Sequence, residues 1–388
     1  MDILLTIAAI VFWCSLLSVV YSYFVYPLIV GLIAKTAAAP LPRGDDGYLP
    51  EISLVVSFFN EDAVLPEKLR NMEAVDYPAD RIRFLLGSDG STDGTNRLLA
   101  SWPRPNKSVL TFPARRGKAP VLNDLVASAT GEIVIFSDAN TMYHPATVRK
   151  LVRMFADPAV GAVCGELVLV PEGSDASGSG EVSYWAYESW LKRNESAIHS
   201  LLGATGGVYA IRRSLFEPLP LGKPVTDDFL IPLRIVMRGY RVTYARDAIA
   251  TEKTSGSMKG EFSRKARIGA QNFAGIGEIA PLLLPKAGFI AFALWSHKII
   301  RWFVPFLALF ALAATVVLAA SSLFFTVVLA CEAAFLLAGL GGFLADRQRV
   351  SLGPAGLPYY ILAMNTALFL GFVRYILRLQ RTTWEVLR

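Results

Sequence analysis

Cysteine and histidine are both scarce, at three residues each among 388. Cys14, Cys164 and Cys331 stand far apart and form no Cys-x-x-Cys pair, which excludes a zinc ribbon and a disulfide framework. His144, His199 and His297 show no metal-ligand spacing either, so a structural zinc centre is excluded. Charge is missing altogether from residues 3–34, 302–331 and 350–373. Each run exceeds the roughly 20 apolar residues that cross a bilayer, and together they lift the hydrophobic fraction to 53%. The first run lacks a basic leading segment and is far longer than the apolar core of a signal peptide, so it is expected to be an uncleaved anchor.

The net charge of +6 would suit nucleic acid, but the basic residues cluster beside the apolar runs, as at Lys35, Arg43, Lys298 and Arg301. Juxtamembrane placement accounts for them, and no nucleic-acid partner is expected. Only Asp2 precedes the first run, while Lys35 and Arg43 follow it. The charge rule therefore puts the N-terminus outside and the next domain in the cytoplasm. The chain divides into an anchor (1–34), a linker (35–49) carrying Pro40, Pro42 and Gly44, an α/β domain (50–257), amphipathic interfacial helices (258–301) and a membrane region with a basic tail (302–388). Crossings are expected at 302–320, 323–345 and 358–373. That count places the basic tail outside, against the charge rule. Either a C-terminal segment is re-entrant or the rule is overridden.

The most informative stretch is GEIVIFSDAN, residues 131–140. Residues 132–137 have the length and β-branched, aromatic make-up of a buried parallel strand, so Asp138 and Asn140 emerge at its carboxyl end. Open α/β sheets bind ligands there, and a carboxylate beside an amide oxygen suits a hard divalent cation. The same tripeptide also makes an ordinary turn. Further strands are expected at 51–59, 82–88, 109–112, 160–170 and 208–211, with Asn60, Glu61 and Asp89 closing the first two. Asp93 is placed as a helix cap. Gly117 and Lys118 lead a helix at 119–129 into the central strand. This β-α-β-α-β-α-β order predicts a parallel sheet of nucleotide-binding type.

Downstream, residues 173–180 read as a flexible Gly/Ser loop and 182–199 as a helix. Its Tyr184, Trp185, Tyr187 and Trp190 suit core packing or stacking on sugar rings. Gly203, Gly206 and Gly207 form a loop where a ligand can approach the backbone. Thr226-Asp227-Asp228 opens a helix, a position that serves equally as a cap or as a catalytic base. In KGEFSRKAR, residues 259–267, Arg264 and Arg267 share a helical face. They fit lipid headgroups or a diphosphate, to which an Arg fork is well matched.

The order Asn60-Glu61, Asp89, Lys118, Asp138-x-Asn140, Thr226-Asp227-Asp228 and Arg264/Arg267 resembles that of family 2 glycosyltransferases. The likeness is to membrane-embedded bacterial polysaccharide synthases related to hyaluronan, cellulose and poly-N-acetylglucosamine synthases, and it covers roughly residues 50–272. It implies a GT-A fold with a mainly parallel sheet, flanked by transmembrane helices, in a multi-pass protein of the inner membrane. By that resemblance Ser57 and Glu61 line the nucleotide pocket, Asp89 contacts the nucleoside, and Lys118 approaches the uracil or diphosphate of a UDP-sugar. Asp138, with Asn140, would hold Mg²⁺ or Mn²⁺. Asp228 would be the general base, with Asp227 replacing the family's Glu. Arg264 to Ile268 departs from the Gln-x-x-Arg-Trp of processive relatives, which puts long-chain processivity in doubt.

The implied reaction is direct displacement with inversion onto a hydroxyl of a lipid-linked or glycan acceptor. A processive, secreting synthase is the alternative within the class. A transporter with a nucleotide-binding domain is the alternative outside it. Its support is Glu332, a carboxylate at membrane depth, but the C-terminal helices show no repeat.

Overall fold

The computed structural model describes residues 2–36, 44–170, 176–254, 257–348, 350 and 353–383. Pro40 and Pro42 of the linker, Gly173 of the Gly/Ser loop and residues 384–388 of the basic tail lie outside the described residues.

Eight strands form one sheet: β1 (Ile52–Phe58), β2 (Ile82–Asp89), β3 (Lys107–Phe112), β4 (Ile133–Ser137), β5 (Met142–Tyr143), β6 (Val160–Val170), β7 (Tyr209–Arg212) and β8 (Arg241–Lys253). The helices, in chain order, begin with α1 (Asp2–Val20), α2 (Tyr26–Thr36), α3 (Leu65–Glu73), α4 (Thr95–Ser101), α5 (Lys118–Ala127) and α6 (Thr147–Val152). They continue with α7 (Ala176–Ile198), α8 (Asp227–Met237), α9 (Met258–Gly275), α10 (Phe289–Ala293), α11 (Ile300–Leu318), α12 (Leu323–Arg347) and α13 (Leu357–Ile376).

The spatial order β3-β2-β1-β4-β7-β6-β8-β5 is parallel through its first four members, as the β-α-β spacing predicts. β7 then runs antiparallel to both β4 and β6, while β8 is parallel to β6. The reversal of one strand has a consequence for chemistry. The carboxyl ends of β1, β2, β4, β6 and β8 all reach the same edge, and so does the amino end of β7. Alternating side chains feed two cores: Val55, Val134 and Phe136 pack with α5 and α8 on one face, and Leu54, Val56, Ile133 and Ile135 with α3 and α6 on the other.

β8 is the element that the sequence pattern does not announce. Arg246 and Asp247 interrupt its apolar alternation at the register shift against Gly165 and Glu166, so the period-2 signal is lost mid-strand. The Gly/Ser stretch also differs from a loop, since residues 176–180 are already helical and begin α7. Asp93 sits one position before the cap of α4, where its carboxylate still accepts the Thr95 N–H at 3.0 Å.

Among the described residues four helical segments are long and apolar enough to cross a membrane: Ile3–Thr36, Phe289–Ser321, Leu323–Arg347 and Leu357–Ile376. The second starts well before Trp302 and takes in His297, Lys298 and Arg301, whose charge is hidden because all three face α7 rather than lipid. The fourth lies against its neighbours at both the start and the middle. Its start meets the last turns of α12, where a Cβ on Gly342 would lie 2.5 Å from Tyr359, and its middle lies against α9. Beyond its end, the Thr382 carbonyl sits on Gly117 of the α/β domain. α13 therefore packs along α9 and the chain beyond it returns to the α/β domain, while its length and apolarity still suit the expected crossing.

The α9–α13 contact is backbone-close. A Cβ on Gly371 would stand 2.6 Å from the Ala266 carbonyl and 2.9 Å from the Ala270 nitrogen. Gly371→Val should therefore cost about 1–3 kcal/mol by overpacking, read as a lower thermal midpoint in detergent. Gly341→Val, where the added carbon meets open space, should leave the midpoint within error.

Candidate functional site

The shared edge of the sheet opens into one cavity of about 2100 Å³ that continues between the membrane helices. All ten residues singled out from sequence line it; Ser57, Glu61 and Asp89 come from the ends of the first two strands or just beyond, Lys118 from α5, and Asp138 and Asn140 from the turn after β4. Asp227 and Asp228 enter from the first turn of α8, and Arg264 and Arg267 from α9.

Asp89 is buried and its two carboxylate oxygens accept the backbone N–H groups of Arg116 and Gly117, both at 2.7 Å. Gly117 has φ of +96°, a conformation in which glycine has no steric penalty. The fork thus fixes the turn that launches Lys118. The Lys118 ammonium then lies 2.8 Å from Asp138 and 3.1 Å from Asp227. Burial pulls its pKa down, but the two carboxylates more than offset this and hold it above the ordinary lysine value. For Asp138, burial pulls the pKa up, and Lys118, Lys68 and Arg267 bring it net below the usual carboxylate range.

Asp227 and Asp228 are adjacent in sequence but differently engaged. Asp227 takes the Lys118 contact and accepts the Tyr209 hydroxyl at 3.1 Å. The Asp228 carboxyl is pushed up to about 6 by burial and by Asp227, with Lys118 and Lys192 acting against them. A Cβ built on Gly206 would lie 3.2 Å from an Asp228 carboxylate oxygen and 3.4 Å from one of Asp138. The two acids therefore face a common space that glycine keeps clear.

Three functional-looking residues escaped the sequence reading. Lys68 of α3 is buried, donates to the Ser137 hydroxyl at 2.7 Å and the Thr141 carbonyl at 2.6 Å, and so braces both sides of the Asp138 turn. Burial lowers its pKa to about 7, with Asp138 and Glu252 opposing the drop. Glu252, at the end of β8, accepts from Asn140 and Thr141, each at 3.1 Å. Burial and the charge of Asp138 raise its pKa. Lys192 of α7 donates to the Thr205 hydroxyl at 2.9 Å, holding the glycine loop. Glu252 was hidden with its strand. Lys68 and Lys192 sit at helical positions where a charge ordinarily faces water, and only the tertiary fold turns them inward.

The donor set fits a hard divalent ion. Asp138 borders the space beside Gly206, and Glu252, near enough to feel its charge, accepts from the Asn140 amide. Among the described residues no cluster of three or more His, Cys, Asp or Glu forms a complete cage. An ion here would take one or two protein oxygens and complete its shell from a phosphate ligand and water, as Mg²⁺ and Mn²⁺ do. On the opposite wall, Arg264 is clamped to Glu261 at 2.6 Å. Arg267 has its pKa lowered by burial and by Arg264, with the three aspartates opposing.

Residues 53–219 match the model of the family described as glycosyl transferase family 2. An N-acetylglucosaminyltransferase of Rhizobium meliloti is 28% identical over 63% of this chain and 61% of its own. A β-monoglucosyldiacylglycerol synthase of Synechocystis is 24% identical over 53% of this chain and 44% of its own. The chain thus spans roughly half the length of these curated relatives. Among solved structures, a mannosyltransferase of Pyrobaculum calidifontis, in complex with GDP-Man and Mn²⁺, superposes with a TM-score of 0.75 at 24% identity, covering 96% of this chain and 99% of that one. Residues 53–219, which supply Glu61, Asp89 and Asp138 to this edge, are thus similar to glycosyl transferase family 2, and the chain as a whole shares the fold of that mannosyltransferase, with helices long and apolar enough to cross a membrane.

Proposed function

We propose that the chain is an inverting glycosyltransferase of the inner membrane, passing a sugar from a nucleoside diphosphate sugar to a hydroxyl on a lipid-linked acceptor. The observation that carries this reading is the common space at Gly206, which Asp138 and Asp228 both border. It lies in a cavity that also reaches the membrane helices. A donor enters at the sheet edge beside Asp89, and an acceptor enters from the bilayer. The catalytic domain faces the cytoplasm, where the donor is made.

An acceptor hydroxyl is a poor nucleophile until its proton is removed. Asp228 is the base: its oxygen takes that proton as the hydroxyl attacks the anomeric carbon and the bond to the diphosphate breaks. Asp227 is committed to Lys118 and Tyr209, so one base and no separate protein nucleophile remain, and the sugar inverts. Charge gathering on the leaving diphosphate is met by Lys118 and by Arg264 and Arg267. Asp138, with Asn140 and Glu252 beside it, would hold a Mg²⁺ or Mn²⁺ whose positive charge steadies the same diphosphate. The Lys118 ammonium, 2.8 Å from Asp138, would share that carboxylate with such an ion.

The chain reconstituted in lipid should transfer label from one of a panel of UDP- and GDP-sugars. A UDP-sugar is the donor we propose. GDP-mannose, named with the archaeal structure, is the competing outcome. A single-sugar lipid supports the reading, and a ladder of lengthening products would replace it with a processive one.

Asp228→Asn should bind the nucleotide normally while transfer falls by about 10²–10⁴, measured by equilibrium binding beside initial rates. Asp228 acts ionised, so kcat/KM should decline as pH falls through about 6. That limb should follow donor-independent titration of the free enzyme. Chelation should abolish transfer, and Asp138→Asn should raise the Mn²⁺ needed for half-maximal rate by about tenfold or more, read from metal titration after exhaustive chelation.

A further inference from the structure

The cavity has a second charged end, where α7 meets the membrane helices. Tyr184, Glu188 and Lys192 follow one another at four-residue spacing and all line it. Lys192 holds the glycine loop beside Asp228. Tyr184 lies two turns away, about 12 Å along the helix axis, and is covered by the Lys265 ammonium at 4.7 Å from its ring centroid.

The charges at this end do not balance. His297 places one ring nitrogen 2.6 Å from Glu195 and the other 3.0 Å from Glu188. Glu188 also takes Lys298 at 2.5 Å and Arg301 at 3.5 Å. Glu188 is thus shared by His297, Lys298 and Arg301, while Lys265 lines the same end of the cavity over Tyr184, so three lysine and arginine cations stand beside the carboxylates of Glu188 and Glu195. Arg301 is buried, donates through Nη2 to the Ser22 carbonyl and the Tyr187 hydroxyl, and leaves Nη1 with no hydrogen-bond acceptor. Buried charge of one sign calls for a counter-ion. On the bilayer side the walls turn apolar, with Val19, Phe24, Trp302, Val304, Ile361 and Met364.

A surplus of positive charge above an apolar cleft, a few turns of helix from the transfer point, selects an amphiphile with an anionic joint. Resting on the transfer reading above, we propose that Lys265, Lys298 and Arg301 bind the phosphate that joins the acceptor's sugar to its lipid. The apolar tail lies between α1, α11 and α13, and the sugar extends along α7 toward Asp228. A neutral glycerolipid acceptor would leave the surplus charge unmet.

The test is binding to the purified full chain in uncharged detergent, with farnesyl phosphate, farnesol and inorganic phosphate as probes and UDP and GDP measured in parallel. Farnesyl phosphate should bind about tenfold tighter or more than either of the other two. Lys265→Gln should erase most of that preference, Lys265→Arg should keep it, and nucleotide binding should be unchanged in both. Arg301→Gln should act in the same direction, but its buried contacts also brace the junction, so Lys265 carries the decisive comparison. Equal binding of farnesol and farnesyl phosphate overturns the proposal, as does an unaltered preference in Lys265→Gln. Inorganic phosphate binding as tightly as farnesyl phosphate overturns the lipid as the source. Failure of every nucleotide to bind counts against the transferase reading instead, and leaves the phosphate-lipid comparison to be judged on its own.

Discussion

Lys118 joins the two halves of the site, since its ammonium touches Asp138 at the end of β4 and Asp227 at the start of α8. Those residues are nearly ninety positions apart and come from different layers. Without a cation between them, two buried carboxylates would repel across a low-dielectric space. The position of Lys118 is set in turn by the Asp89 fork on the Arg116 and Gly117 amides. The donor edge of β2, the central strand and the candidate base are therefore linked by a short series of charge-assisted hydrogen bonds.

This organisation is held against a cost. Asp228 is raised to about 6 by burial and by Asp227, so its folded-state pKa lies above its unfolded value. Its contribution to stability is present at low pH and lost as pH rises through about 6. Around neutrality, where a base must be ionised, the site opposes folding. The compensation is visible elsewhere in the sheet, in strands whose apolar residues are wholly buried on both faces. Lys68 shows the same trade, because a buried ammonium with few neutralising partners is expensive. Its two hydrogen bonds hold the Asp138 turn in a fixed shape.

The parallel half of the sheet was legible because β1, β2 and β4 are almost wholly buried and read as mainly apolar runs ending in polar residues. β6 was legible for the same reason over its first half. The acids and cations at strand ends and helix starts were legible because each is punctuated by a turn. What stayed hidden was set by partners remote in sequence. β8 is broken by Arg246 and Asp247 at a register shift, so Glu252 could not be placed beside Asn140. His297, Lys298 and Arg301 look like interfacial charges from sequence, yet they are buried against Glu188 and Glu195 of a helix a hundred residues earlier. Their pairing allows the membrane helix to begin at Phe289, a dozen residues before its charge-free run.

The seat of α13 on α9 follows from packing rather than from hydropathy. A helix of its length and apolarity is able to cross a bilayer, but small residues let it approach α9 until backbones touch, at Gly269 and at Gly371. Close contact of this kind is a principal source of helix association where lipid tails offer no hydrophobic contrast. Phe273 of α9 is enclosed by Phe372 and Tyr375 of α13 and by Trp302 and Phe303 of α11. The same α9 carries Arg264 and Arg267 into the cavity. The placement of those two cations is thus decided by aromatic packing at the membrane boundary. Beyond α13 the chain returns to Gly117, where any side chain would collide with the Thr382 carbonyl at 2.7 Å. Gly117 therefore meets two demands at once, the left-handed turn that launches Lys118 and the close seat of the C-terminal segment, and no other residue satisfies both.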